Sequence, residues 1–330
     1  MFVSKIEETS CKHFYRLPNE YSRLEKLLIL SITDALQKVT VDIKNDNMLV
    51  IISTTKGNID LIEDETKRDK LYLSSLALVL KSHFQLKNQP IIISNACISG
   101  VLAIITANRM INQGKFDTIV VVGGGVLSEY TLCGFLTLKA ISSTPCRPYD
   151  KDRDGITLGE ACGTIVLSKN KESAIVEVLG GSISNDANHI SGPSRTGDGL
   201  KLAIDNAIHE SKIKAKDVDY ISAHGTATLY NDEMESLAFS SCGLSETPLN
   251  SFKGHWGHTL GAAGIIESIG AINSLVNNSP INSLGCSEVG VSKTLNVIKG
   301  NNSLTNNDYL LKTASGFGGC NAAVVFKNCR

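Results

Sequence analysis

No charge of either sign dominates this chain. Lys and Arg number 32 against 33 Asp and Glu, a net charge of −1, which gives no reason to expect nucleic acid or an anionic membrane surface as a partner. Paired cysteines are missing too. The nine cysteines, at 11, 97, 133, 146, 162, 242, 286, 320 and 329, include no C-x-x-C and are odd in number, against both a zinc ribbon and a disulfide framework. Free thiols in that number suit a reducing cytoplasm. The segment MFVSKIEETSCK lacks the apolar stretch of a secretory signal, and no uninterrupted apolar run reaches membrane-spanning length. Low-complexity sequence is absent, and the Asn-rich stretch at 300–307 reads as a polar loop. The expectation is a soluble, cytoplasmic protein. Its 330 residues, 42% of them apolar, allow one large core or two coupled ones.

What is present is a run of strands alternating with helices. Strands are predicted at 48–54, 90–94, 117–125 and 163–168, with helices at 71–85 and 98–112 between them. After a charged seam at 169–173 the alternation restarts. Strands are predicted at 174–184, 218–224, 248–252, 308–315 and 322–327, and helices at 197–211, 231–240 and 259–276. Such alternation indicates an α/β protein with mostly parallel sheets, and the restart suggests two similar halves.

Ligands bind at strand ends in such sheets, where loops from several elements converge. Four segments hold that position: NACISG around Cys97, SAHGTAT around His224, SFKGHWGHTLGAAG around His258, and TASGFGGCNAA at 313–323. Position alone leaves Cys97 two readings. It is either a small buried hydrophobe in a tight turn or a thiolate stabilised by the N-terminus of the helix that follows. His224 and His258 are likewise either structural residues or neutral imidazoles held ready by their surroundings. A cysteine with two histidines suits nucleophilic chemistry on an acyl group, with the imidazoles handling charge on a second reactant. No ligand spacing supports a metal. Glycines 316, 318 and 319 would let backbone N–H groups reach an oxyanion.

Together, NACISG, RPYDKDRDGITLGEACGTIVL, HGTATLYNDEME, KGHWGHTLGAAGIIES and GFGGCNAA resemble the signature blocks of β-ketoacyl-acyl carrier protein synthases, in the family's order and across about residues 45–330. The resemblance implies a thiolase-like fold, two βαβαβ halves in αβαβα layers. Residues 1–172 would carry the nucleophile and residues 173–330 the two histidines. It implies Cys97 as nucleophile, with His224 and His258 as its partners, Lys253 orienting them and Glu267 behind. Thr226 and Thr228 would bind the pantetheine arm, Phe317 and Gly318 would also contact the substrate, and Phe317 would be the gate, its N–H completing an oxyanion hole with that of Cys97. Asp150, Arg153, Asp154 and Glu160 read as a bracing charge network. The implied activity is decarboxylative condensation of an acyl thioester with malonyl-acyl carrier protein. The implied partners are an acyl carrier protein and a second subunit. No cofactor is expected, the phosphopantetheine being carried by the carrier protein. KGHWGHTLGAAG is also similar to synthases of aryl polyene and related pigment pathways.

The front of the chain departs from the family pattern. The usual glycine-bearing first strand is not recognisable, and only about 36 residues separate Gly57 from ISNAC. Ser315 stands where an aromatic is common, Asn95 where threonine or serine is, and Cys320 where threonine is. The stretch ETKRDK at 65–70 reads as a solvated turn. A homodimer pairing through the apolar strand 117–125 is expected, with a heterodimer as the alternative. Cys97 is expected to alkylate faster than the other cysteines. The rival reading is a chain-length-factor-like partner subunit, which intact Cys97, His224 and His258 argue against; a cysteine hydrolase leaves the second histidine unexplained.

Overall fold

The computed structural model describes residues 2–300 and 303–330; positions 301 and 302 of the Asn-rich stretch lie outside the described residues. One sheet combines β2 (Met48–Ser53), β3 (Ile91–Ile93), β4 (Thr118–Gly125) and β6 (Ala161–Ser168) in the order β3-β2-β4-β6. A second sheet, in the order β7-β11-β10-β8-β9, is built from β7 (Val176–Asn185), β8 (Tyr220–Ser222), β9 (Leu249–Asn250), β10 (Tyr309–Gly316) and β11 (Cys320–Asn328). A short pair, β1 (Val3–Ser4) with β5 (Leu158–Gly159), stands apart.

The two sheets share a topology. β3-β2-β4 are mutually parallel and β6 runs antiparallel beside β4; β9-β8-β10 repeat the parallel set and β11 repeats the antiparallel member. The expectation of mostly parallel sheets is therefore corrected to mixed sheets. For β10 and β11 the reason is local. Only Phe317, Gly318 and Gly319 join them, and so short a connection can only return the chain antiparallel. In the second sheet β7 adds a further antiparallel strand outside β11. Among the described residues, no strand holds the equivalent place outside β6.

Five layers follow from which face each residue presents. Along β2, Leu49 and Ile51 face a core between the sheets, whereas Met48, Val50 and Ile52 face an outer core, the period-two alternation of a strand. The outer core is closed by α1 (Arg23–Leu36) and α2 (Leu73–Phe84). On the far side α5 (Asp198–Glu210) and α6 (Leu229–Ser241) cover the second sheet. Between the sheets lie α3 (Ser99–Asn112) and α8 (Ala263–Val276). Both faces of each sheet are buried, so the strands read as continuous apolar runs.

Three helices were not foreseen, α1, α4 (Glu129–Thr137) and the single turn α7 (Lys253–Trp256). α1 begins with a capping box: Ser22 Oγ accepts from the Glu25 N–H, while the Glu25 carboxylate accepts from the Ser22 N–H. The expectation that strand 117–125 offers a free edge is overturned. β4 is hydrogen-bonded along its length to β2 on one side and β6 on the other. The edge beyond β2 is β3, whose Ile91 is 37% exposed. As expected, 65–70 is a surface turn of one-sided charge pairs.

Candidate active site

α3 and α8 cross at their first turns, and that crossing places the site. Gly100 and Gly264 meet backbone to backbone: a Cβ on Gly100 would lie 2.7 Å from the Ile265 nitrogen, and one on Gly264 2.4 Å from the Val101 nitrogen. Only glycine permits that approach. Cys97 lies just ahead of α3 and His258 just ahead of α8, so the helix contact sets their separation.

The turn that presents Cys97 is strained. Ala96 adopts a left-handed φ of 43°, a conformation that costs a non-glycine residue about 1–2 kcal/mol. Ser99 holds it, accepting from the Asn95 N–H at 2.8 Å and donating to the Ala96 carbonyl at 2.6 Å. Gly316 packs against this turn, where a Cβ would sit 2.9 Å from the Cys97 nitrogen.

His224 follows β8 and is fixed through its backbone. Glu235 on α6 accepts the N–H groups of His224 and Gly225 at 2.8 and 2.7 Å, and also the Tyr149 hydroxyl. Asp232, one turn earlier, accepts the N–H of Thr226. The acidic residues of HGTATLYNDEME thus hold the loop that carries the histidine, a role the sequence reading left unassigned. His258 is registered by its N–H to the Thr157 carbonyl at 2.6 Å.

Cys97, His224 and His258 are all buried, with one sulfur or nitrogen of each within 4.8 Å of the others. The imidazole centroids are 5.2 Å apart and nearly perpendicular. Hydrogen-bond partners determine the tautomers. His224 Nδ1 faces the Lys253 ammonium at 3.3 Å, and His258 Nδ1 faces the Leu260 N–H at 3.3 Å. Both partners only donate, so both Nδ1 atoms accept, and each neutral ring carries its proton on Nε2. Burial first, then the positive charge of Lys253, hold both histidines well below the usual imidazole range. Burial is the main cause. Two neutral rings therefore present N–H donors.

Cys97 behaves differently from its expectation. Burial pushes its thiol up to about 11, against the opposing pull of Lys253, Lys56 and the Phe317 backbone N–H. Removal from water outweighs the helix terminus, so the resting thiol keeps its proton. Cys133 and Cys329 are exposed. The ground for expecting Cys97 to alkylate first is removed.

The other expected residues divide into wall and foundation. Thr226, Thr228 and Phe317 line a cavity of about 300 Å³ that reaches Cys97, His224 and His258. Thr226 and Thr228 share a hydroxyl hydrogen bond of 2.9 Å. Phe317, 39% exposed, stacks on Phe135 of α4 at the mouth. Gly318 is not brought to the cavity; its N–H goes to the Ile190 carbonyl at 2.7 Å. Lys253 and Glu267 lie beneath the histidines, paired at 2.6 Å. Asp150 accepts from Ser287 and Glu288, Asp154 from Ser142 and Ser143, and Glu160 pairs with Arg23 at 2.6 Å. Arg153 donates to the carbonyls of Asp150, Gly290 and Leu229. Sequence reasoning missed Phe135 and Lys312. A fully buried lysine within the strand YLLKTAS gave no signal of its partner.

The model of the β-ketoacyl synthase N-terminal domain matches residues 5–173, and that of the C-terminal domain matches residues 175–286. The chain belongs to the β-ketoacyl synthase family. Among curated family members it is 36% identical over 265 residues to a 3-oxoacyl-[acyl-carrier-protein] synthase homolog of Saccharomyces cerevisiae, covering 74% of this chain and 60% of that protein. It is 34% identical over 263 residues to 3-oxoacyl-[acyl-carrier-protein] synthase 2 of Vibrio cholerae, covering 73% and 63%. The chain thus spans less than two thirds of the length of these relatives. Its fold is similar to that of a ketosynthase solved with its chain length factor from Xenorhabdus doucetiae, with a TM-score of 0.86 and 26% identity over all of this chain and 85% of the other. A β-ketoacyl synthase from Burkholderia phymatum gives 0.85 and 26%, over 95% and 86%. The fold is the thiolase-like ketosynthase fold. Among the described residues, no helix is long and apolar enough to cross a membrane.

Proposed function

We propose that the chain is a β-ketoacyl-acyl carrier protein synthase, condensing an acyl thioester with malonyl-acyl carrier protein in fatty acid or polyketide-type synthesis in the cytoplasm. One observation carries the reading: a cysteine sulfur and two neutral Nε2–H donors converge in one buried cavity. A hydrolase needs a base facing the pocket, and both available lone pairs are turned away, toward Lys253 and Leu260.

In the first half-reaction the Cys97 sulfur attacks the acyl thioester carbonyl and the pantetheine thiol departs. The Cys97 proton leaves with it, because neither histidine offers a lone pair to the pocket. The acyl oxygen would be stabilised by the Phe317 N–H and by the Cys97 N–H. In the second, the malonyl C–C bond breaks, CO₂ leaves, and the electron pair becomes an enolate whose oxygen accepts from His224 and His258. The enolate carbon attacks the acyl-cysteine, the C–S bond breaks with its electron pair leaving as the Cys97 thiolate, and a proton taken up from water restores the thiol. Two Nε2–H donors suit that oxygen because its charge exists only in this step. Thr226 and Thr228 would receive the pantetheine arm, and no bound cofactor is required.

The partner subunit would pair at β3, the exposed edge next to the nucleophile loop, since a free apolar edge is a liability that pairing removes. A second copy is the first candidate. A homologous subunit is the alternative, motivated by the neighbour solved with a chain length factor. Mass spectrometry of the intact protein mixed with acyl-carrier proteins, together with CO₂ release from malonyl-carrier protein, tests the reading. Acylation of Cys97 and decarboxylation are expected. Neither occurring, alone or with a co-expressed partner, would refute it.

A further inference from the structure

Beneath the two histidines lies a charge cluster that the chemistry above does not use. Glu267 on α8 is bonded by two lysines, one on each oxygen: Lys253 Nζ to Oε1 at 2.6 Å and Lys312 Nζ to Oε2 at 2.7 Å. All three side chains are buried, at most 1% exposed. Lys253 also donates to His224, at its carbonyl and toward Nδ1. Lys312, from β10, donates to the carbonyls of Ser222, Ala223 and Thr313, the first two being the residues just before His224. One carboxylate against two ammoniums leaves a net positive charge. A buried charge left unneutralised is costly and calls for a reason.

We propose that Lys312 is a positioning residue: by holding the second oxygen of Glu267 it supplies the surplus positive charge that keeps His224 and His258 neutral and in their Nε2–H tautomers. A proton added at either Nδ1 would meet the Lys253 ammonium or the Leu260 N–H, and the surplus charge opposes that addition from below. The other groups around the rings do not supply it. Cys97 is a protonated thiol; Glu235 is committed to the His224 and Gly225 N–H groups and to Tyr149; Asp232 is offset by Arg153 at 3.8 Å. Lys56 draws the Cys97 thiol down and is not among the charges that lower either histidine. Burial draws the Lys312 ammonium below the usual lysine range, and Glu267 restores part of that loss.

Charge counting gives the test. Lys253, Lys312 and Glu267 sum to +1; Lys312→Met makes the sum 0, Glu267→Gln makes it +2, and the double variant returns it to +1. NMR titration of the histidine ring signals in the full chain should show both midpoints rising by about one unit in Lys312→Met, as expected for losing one nearby buried charge. The midpoints should fall further in Glu267→Gln and return toward wild type in the double variant. A merely structural lysine would not be rescued by deleting its own partner's charge. Should Lys312→Met fail to fold, Lys312→Gln keeps a donor to Glu267 while removing the charge and carries the same expectation. Unshifted midpoints in the single variant, or no return in the double, overturns the proposal. Its catalytic consequence rests on the function proposed above: the acid limb of CO₂ release should move up by the same amount. Shifted midpoints in a protein that releases no CO₂ would refute that function while sustaining the role of Lys312.

Discussion

Gly100→Ala adds one methyl group where two helix backbones touch. The new Cβ would lie 2.7 Å from the Ile265 nitrogen and 2.8 Å from the Gly264 Cα, whereas ordinary contact begins at 3.4 Å, so α3 and α8 must part by about 0.7 Å. The atoms met are backbone, and no side chain can swing aside to absorb the insertion. Overpacking of this kind costs about 1–3 kcal/mol, offset by the roughly 1 kcal/mol that alanine gains over glycine in a helix. Net destabilisation of up to about 2 kcal/mol should appear in the urea midpoint. The larger effect belongs to chemistry. Cys97 and His258 stand at the two helix starts that are pushed apart, and a misplacement of about 1 Å can cost on the order of 100-fold in rate. Condensation should fall between about tenfold and 100-fold, well beyond what the lost stability explains at a temperature where the variant is folded. Gly134→Ala in α4 is the control, because nothing lies within 4 Å of its added Cβ; it should be neutral or slightly stabilising. A Gly100→Ala protein with the wild-type midpoint and rate would refute the claim that this crossing sets the site.

Three further outcomes follow from the same geometry. His224→Ala and His258→Ala should each slow CO₂ release by about 100-fold or more, the worth of one donor to a developing oxyanion, while acylation of Cys97 persists; undiminished decarboxylation in both would be decisive against their role. With iodoacetamide near pH 8, exposed Cys133 and Cys329 should label before Cys97, whose labelling should climb steeply as pH approaches 11; peptide mapping that finds Cys97 first at neutral pH would contradict the buried-thiol account. Stability should decline as pH falls below 6.5, because the unfolded imidazoles bind protons that the folded ones refuse; each contributes up to about 1.4 kcal/mol per pH unit until its lowered folded pKa is reached. Urea midpoints at pH 7.5 and 5.5 check this, and equal midpoints would refute it.

The core elements were legible because burial on both faces turns strands such as MLVIIS into unbroken apolar runs, bounded by glycine and polar turns. The capping signature Ser22-x-x-Glu25 ahead of an apolar run marks α1 as plainly as any helix here. α4 carried less signal. EYTLCGFLT mixes glycine, aromatic and β-branched residues, and its start depends on Ser128 accepting the Thr131 N–H. Sheet order was not legible at all: the apolar strand 117–125 looks like a bare edge in one dimension and proves to be interior in three.

The site divides along the same line. Resemblance of the motif blocks to β-ketoacyl-acyl carrier protein synthases singled out Cys97, His224 and His258, where position alone left each of them two readings. Their protonation states were not written there, because they depend on groups brought from elsewhere in the chain. The resting thiol of Cys97 is set by desolvation, which no local pattern encodes. The donor form of both histidines is set by Lys253 in one case and a backbone N–H in the other. These two facts constrain each other. A histidine that turned its Nε2 lone pair to the cavity would carry its proton on Nδ1, against the Lys253 ammonium or the Leu260 N–H. The positive charge buried behind the rings favours neutral donors, while burial keeps the Cys97 thiol protonated against the pull of Lys253. Under the proposed function, acyl transfer would depend on the thioester bringing its own proton acceptor, the departing thiolate, so the nucleophile would be activated by the substrate that needs it and water would gain little from the resting pocket.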